Sequence, residues 1–274
     1  TYQLNIGPET QTFGYGWGAA TWSLSTWGTS RTTSQINLHL AQWSLDNWGE
    51  DLIITKRNGG TYVWDTSGGM TVNRATAIAN APTTSILSLV TPESRHLVCL
   101  GTETTIADSS SQDKMFIRWS DQENYNEFTA NAINTSGSQR LAAGSEIRAA
   151  KAGRAETLIW TDTTIFSMQF IGAPFTFGFK KLGSDCGIVG LNSGILVEDI
   201  AYWMGDGKFF AYAGSVQEIP CSVKNYVFND INKVQYSQVY AGHNSQFNEI
   251  IWYYCTASAN QVDRYVIYNY AEKV

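Results

Sequence analysis

Apolar and polar residues alternate in short bursts along this chain, and the bursts come in pairs. Glu50-Asp51-Leu52-Ile53-Ile54-Thr55 is followed by the turn Arg57-Asn58-Gly59-Gly60 and then by Tyr62-Val63-Trp64-Asp65. Asn-Gly between two such runs is a strong hairpin signal, because a tight two-residue turn wants positive φ at both central positions. The arrangement returns. Glu156-Thr157-Leu158-Ile159-Trp160 leads through Asp162-Thr163-Thr164 into Ile165–Phe170, and Glu198–Met204 turns at Gly205-Asp206-Gly207 into Lys208–Tyr212. Glu249–Tyr254 leads across a longer polar loop to Arg264–Tyr270. A looser copy pairs Arg95–Cys99 with Met115–Trp119 around a Ser/Asp-rich insertion.

The glutamates that open the units, Glu50, Glu156, Glu198 and Glu249, set the period: Glu156 to Glu198 is 42 residues and Glu198 to Glu249 is 51. The looser copy divides the gap between Glu50 and Glu156 roughly in half. Several strands at a fixed spacing of ~40–50 residues are the signature of propeller blades. The pattern therefore predicts an all-β chain, a β-propeller of about five to six blades. Candidate inner strands precede the glutamates at Ile147–Ala150 and Gly187–Leu191, and Phe175–Phe179 reads as a strand that follows a hairpin. Two stretches break the rhythm. Residues 1–35, with Tyr15, Trp17, Trp22 and Trp27 among glycines, read as a contact or insertion segment ahead of blades over 36–274. Apolar residues at Val223, Val227, Ile231 and Val234 have helical spacing, so a short inserted helix is expected over 223–234. The chain stops just after the second strand of a hairpin, so the last blade is expected to be incomplete. Either residues outside this sequence or an early strand would complete it.

Composition supports the β reading: 10 Trp, 14 Tyr and 12 Phe accompany only 15% charged residues, and aromatic side chains suit a pleated, half-buried surface. The net charge of −6, with Lys and Arg scattered, argues against a surface that grips nucleic acid through its phosphates. Cys99, Cys186, Cys221 and Cys255 are far apart beside apolar segments and form no CxxC pair, so they read as reduced, buried thiols without a metal. No apolar run approaches the ~20 residues of a membrane helix. The chain begins at Thr1 without a signal peptide, as a processed product or interior segment would.

Candidate chemistry is sparse. His39 and His96 lie in strand-like apolar contexts and read as structural, and His243 reads as loop surface. HExxH, P-loop and nucleophile-elbow patterns are missing; Gly144-Ser145-Glu146 lacks the second glycine. The Ser-x-Asp-x-Gly-x-x-Trp turn of sialidase-type propellers is missing at Ser120-Asp121 and Ser184-Asp185. Carboxylates suffice for a glycosidase pair, but Glu50, Glu156, Glu198 and Glu249 recur with the blade. They are expected to bond backbone N–H groups or a neighbouring blade's polar side chain. Trp43, Trp48, Trp64, Trp119, Trp160, Trp203 and Trp252 read as blade core. Tyr15, Trp17, Trp22 and Trp27 have no evident core to enter and are candidate assembly contacts. No catalytic residue, cofactor or metal is assigned.

Two segments go further. Trp43-Ser44-Leu45-Asp46-Asn47-Trp48-Gly49-Glu50-Asp51-Leu52-Ile53 and Ile117-Arg118-Trp119-Ser120-Asp121-Gln122-Glu123-Asn124-Tyr125-Asn126-Glu127-Phe128-Thr129 resemble segments of the propeller-bearing nozzle proteins of short-tailed phages, also called tail tubular protein B or packaged-DNA stabilisation proteins. Met168–Phe175 and Cys186–Val189 fit the same resemblance, which spans most of residues 40–270. It implies a virion tail protein made in the host cytoplasm. Such a protein forms a hexameric ring against neighbouring tail and adaptor proteins, with DNA as transient, non-specific cargo. An acidic lumen would let the duplex slide. A propeller adhesin that binds glycans through exposed aromatics is the alternative class.

Overall fold

The computed structural model describes residues 42–67, 69 and 74–274. They form a β-propeller of five antiparallel sheets, four with four strands and one with three, and strands follow one another outward in each sheet. The first blade runs β1 (Trp43–Trp48), β2 (Asp51–Lys56), β3 (Thr61–Trp64) and β4 (Thr76–Ala77). The second holds β5 (Leu87–Val90), β6 (Leu97–Leu100), β7 (Phe116–Trp119) and β8 (Gly137–Arg140). The third holds β9 (Ile147–Ala152), β10 (Thr157–Thr161), β11 (Thr164–Gly172) and β12 (Thr176–Ser184). The fourth holds β13 (Gly194–Val197), β14 (Ile200–Met204), β15 (Phe209–Tyr212) and β16 (Val216–Ile219), and the fifth β17 (Tyr240–Asn244), β18 (Glu249–Tyr254) and β19 (Arg264–Asn269). The inner strands β1, β5, β9, β13 and β17 neighbour one another in that order. All five hairpins expected from the sequence pair as β2–β3, β6–β7, β10–β11, β14–β15 and β18–β19.

The second strands of the second and third blades are sandwiched between other blades, so β6 and β10 are buried along their whole length, whereas β2 and β18 alternate. Strands buried on both faces read as unbroken apolar runs rather than as alternation. Large residues on the second strands face small ones on the inner strand: Trp160 opposes Ala149, Trp203 opposes Gly194 and Trp252 opposes Ala241. Each indole therefore crosses into the space between blades. Trp160 and Trp203 meet edge to face at 5.6 Å, Trp203 stacks on Phe210 at 5.5 Å, and Trp252 lies 4.8 Å from Phe209. Each such pair adds roughly 0.5–1.5 kcal/mol beyond area burial.

An inner strand has one unpaired edge, which invites other strands. Here the neighbouring blade covers it with side chains. The Ser88 N–H donates to Ser44 Oγ at 3.0 Å and the Val90 N–H to Asp46 Oδ2 at 2.7 Å. The first and fifth blades are also tied near their entry points, where Gln42 Nε2 donates to the Ser237 carbonyl at 2.8 Å.

Several expectations are corrected. The β2–β3 turn is centred on Arg57-Asn58, closes through the Gly59 N–H to the Lys56 carbonyl at 2.9 Å, and needs positive φ only at Asn58. Gly187–Leu191 is a loop, and the inner strand starts later at Gly194. The cause is close backbone approach: a Cβ on Gly187 would lie 2.0 Å from the Asp162 carbonyl oxygen, and one on Gly190 2.4 Å from that of Tyr236. The inserted helix α1 covers Lys224–Asp230, followed by a 3₁₀ segment over Lys233–Gln238. Of its four spaced apolar residues only Val227 and Ile231 are buried; Val223 and Val234 face solvent. His243 lies in β17 and not in a loop, although it is exposed. Trp43 is exposed and Trp64 half-buried, because both point to a face of the first blade on which no other described blade packs.

Candidate functional site

The sites with chemical potential lie where polar side chains gather between blades and where apolar faces stay open. At the end of the propeller where the inner strands begin, charged groups link blades around the axis. Glu146 accepts from Lys114 Nζ at 3.0 Å and from Arg148 Nε at 3.2 Å, joining the second and third blades. Arg148 Nη1 also donates to the Ile188 carbonyl at 3.1 Å. Asp206, in the turn between β14 and β15, accepts from Lys233 Nζ at 3.0 Å and from the Tyr236 hydroxyl at 2.9 Å. Burial works against both carboxylates, yet their cationic and hydroxyl partners hold each below its ordinary range. Burial and the Asp206 carboxylate keep the Tyr236 phenol protonated. Arg57 is pushed down by burial and by the like charge of Arg148, with Glu146 opposing. Lys151 on β9 is likewise lowered by burial, with Asp46 of β1 opposing. The surroundings of the propeller axis are therefore mixed in sign.

At the opposite end, Glu156 lies in the turn before β10. It accepts from the Tyr212 hydroxyl of the fourth blade at 2.8 Å and from Ser167 Oγ. Burial and this carboxylate push the Tyr212 phenol up to about 12. The other repeat glutamates occupy the same turn in their blades but do not bridge them. Glu50 and Glu198 are exposed, and their carboxylates bond nothing among the described residues. Glu249 opens β18, where its carboxylate accepts only from Asn244 Nδ2 at 3.4 Å. The shared position reflects the turn between the first and second strands, and among the described residues only Glu156 reaches a side chain of another blade.

Trp119 is buried over Gly137, donates its Nε1–H to the Thr135 carbonyl at 2.9 Å, and meets Phe177 of the third blade edge to face at 5.3 Å. His96 is fully buried between Ser94 Oγ at 2.8 Å and Thr135 Oγ1 at 3.1 Å. Burial pulls its pKa down to about 4, with Asp121 opposing. Cys99 is pushed up to about 12 by burial, which makes it an inert thiol. The four cysteines are free, and three of them are buried. Among the described residues no three His, Cys, Asp or Glu side chains converge as metal ligands. Tyr15, Trp17, Trp22 and Trp27 lie outside the described residues.

Sequence reasoning missed the polar residues of the first inner strand. Ser44 and Asp46 alternate with Trp43, Leu45 and Asn47, and that alternation is the signal that one face of the strand meets another blade's backbone. The opposite face of this blade carries Trp43, Leu45, Ile54 and Tyr62, with Leu45 62% exposed. The fifth blade has a matching open face. Tyr240, Tyr253 and Tyr265 form one row across its three strands, with Tyr240 and Tyr253 stacked at 4.6 Å. Gly242, Ile251 and Ile267 form the next row.

No family model and no curated protein matches this chain. Among solved structures it is similar to a fungal alcohol oxidase of the AA5 family in complex with copper. The TM-score is 0.51 at 12% identity, over 85% of this chain and 52% of the other. It also aligns with the AfRom2 CNH domain, with a TM-score of 0.49 at 10% identity, over 83% of this chain and 67% of that one. At 12% identity the likeness to the oxidase is one of fold alone. The chain spans about half the length of the oxidase.

Proposed function

We propose that this chain is a structural component of a phage tail, part of a nozzle or tail tube that assembles into a ring and onto neighbouring virion proteins. DNA passes through the assembled channel as non-specific cargo. The observation that carries the reading is the pair of open apolar faces on the first and fifth blades. Contiguous apolar surface of this kind marks interaction sites, and blade-like faces suit partners that are themselves sheets. The resemblance of Trp43–Ile53, which is the β1–β2 hairpin, and of Ile117–Thr129, which is β7 with its loop, supplies the virion context.

Native mass measurement or negative-stain imaging of the full chain tests this. A ring of six subunits is expected; a monomer at micromolar concentration overturns the ring. A glycan-binding adhesin is the second reading, favoured by the stacked Tyr240 and Tyr253 beside Tyr265, a platform on which sugar rings could lie. Hits on a glycan array that vanish in Tyr265→Ala would select it.

A further inference from the structure

The hairpin of the third blade overshoots its sheet. Strands β11 and β12 are nine residues each, whereas the equivalent strands in the fourth blade have four. Strand β11 is buried from Thr164 to Met168 and exposed at Gln169, Phe170 and Ile171, while Thr176 and Phe177 opposite its end on β12 stay buried. Its tip, Phe170-Ile171-Gly172-Ala173-Pro174-Phe175, carries no hydrogen-bonding side chain. Phe170 anchors the base, 5.8 Å from His96 and 5.9 Å from Phe177. Ile171 and Phe175 project freely, 56% and 72% exposed.

A second apolar prong stands beside this tip. Thr176 Oγ1 donates to the Thr135 carbonyl at 3.0 Å, which ties the hairpin to the β7–β8 loop of the second blade. Two residues before Thr135, Ile133 is 96% exposed. It is held in that position by a built turn. The Ile133 and Asn134 N–H groups donate to Asn131 Oδ1 at 2.9 and 3.1 Å, the Asn131 N–H to Asn134 Oδ1 at 3.0 Å, and Asn134 Nδ2 to the Thr129 carbonyl at 2.8 Å. A loop free to bury an isoleucine would not be locked with it pointing outward. No charged residue occurs in 128–139 or in 164–179. Behind the tip along β12 come the exposed Lys180 and Lys181, while beside it lie the Glu156 carboxylate, which accepts from Gln169 Nε2 at 3.5 Å, and Asp121, which accepts from Thr135 Oγ1 at 2.6 Å. Lys180 is three residues along β12 from Phe177, about 10 Å at the usual strand rise.

We infer that Ile133, Ile171 and Phe175 are prongs that dock the propeller on a lipid bilayer, entering the boundary between headgroups and acyl chains. The patch is convex and its prongs are aliphatic or Phe. Anchors on protein interfaces are enriched instead in Tyr, Trp and Arg and need a matching pocket. A bilayer accepts a convex apolar prong of any shape. Interfacial elements enter by ~5–10 Å, which leaves Lys180 and Lys181 near the phosphate plane. Deeper entry is opposed because tip backbone groups without partners need water.

The test uses the full chain and flotation with large unilamellar vesicles, of phosphatidylcholine alone or mixed with phosphatidylglycerol. The wild type is expected to float with both, more strongly with the anionic mixture. The double variant Ile171→Asp, Phe175→Asp is expected to lose at least about tenfold in partitioning, with an unchanged thermal unfolding curve. Lys180→Gln with Lys181→Gln is expected to lose only the gain from phosphatidylglycerol. Failure of the wild type to float with either vesicle overturns the inference. So does flotation of the Asp variant at the wild-type level. If the wild type does not float while the Asp variant loses self-association, the patch is a protein contact and the lipid reading fails. Ring size is measured separately, so this inference and the tail assignment can fail independently.

Discussion

Three tryptophans occupy equivalent positions on the second strands of consecutive blades, and they differ in one respect that stability measurements can read. Trp203 Nε1 donates to the Cys186 carbonyl at 2.9 Å and Trp252 Nε1 to the Ser193 carbonyl at 3.0 Å. Trp160 Nε1 is buried and has no partner among the described residues. All three indoles are buried to within 1%. Replacement by Phe removes the same volume from each, so the cavity penalty, about 1–3 kcal/mol, largely cancels in a comparison. What remains is the hydrogen bond. Trp203→Phe leaves the buried Cys186 carbonyl without its donor, at about 1–3 kcal/mol, whereas Trp160→Phe removes an orphaned donor and recovers a similar amount. Trp252→Phe is intermediate, because the Ser193 carbonyl keeps the Met204 N–H at 3.1 Å and loses one hydrogen bond of about 0.5–1.5 kcal/mol. Trp160→Phe is therefore expected to be milder than Trp203→Phe by at least about 2 kcal/mol and milder than Trp252→Phe by at least about 1.5 kcal/mol. Urea unfolding followed by far-UV circular dichroism reports this through the midpoint, provided the slopes agree. Equal losses for the three variants, or a larger loss for Trp160→Phe, would refute the argument.

Other expectations follow from the same geometry. His96 titrates near 4 in the folded chain against 6.5 when unperturbed, so the unfolded chain binds the extra proton first. Its stabilising effect is present in full above pH ~6.5 and is lost as pH falls towards 4, by roughly 3 kcal/mol. His96→Gln, measured by urea unfolding at both ends of that range, should flatten this dependence; an unchanged slope would show that other groups cause it. Gly187→Ala should abolish folded protein, judged by solubility and circular dichroism, because its Cβ would sit 2.0 Å from a backbone oxygen. A well-folded variant would contradict the close approach. Asp46→Ala removes the acceptor for the Val90 N–H and should cost about 1.5–3 kcal/mol, the range for hydrogen bonds to charged groups, whereas Asp46→Asn, which keeps an acceptor, should cost less. Tyr212→Phe breaks the link to Glu156 between the third and fourth blades and should cost about 1 kcal/mol, with a loss above 3 kcal/mol pointing to a different role.

By itself the sequence determined the hairpins, their number and the propeller class. Alternation and turn residues act over a few positions, and each second strand holds a short apolar run, so all five pairings were readable. The helix near Val227 was readable for the same local reason. Tertiary structure decided what depends on the neighbouring blade. Trp43 and Trp160 both read as core, yet only Trp160 has blades on both sides. Glu50, Glu156, Glu198 and Glu249 share a turn, but only Glu156 has a tyrosine across the gap. Gly187–Leu191 has a strand's composition and becomes a loop because two of its glycines press against backbone far away in sequence. Ile133 is brought beside the tip that carries Ile171 and Phe175 by the contact of Thr176 with Thr135, 41 residues away. Alternation records which residues share a face of a strand; what covers that face is set by packing between blades, which no short window of sequence contains.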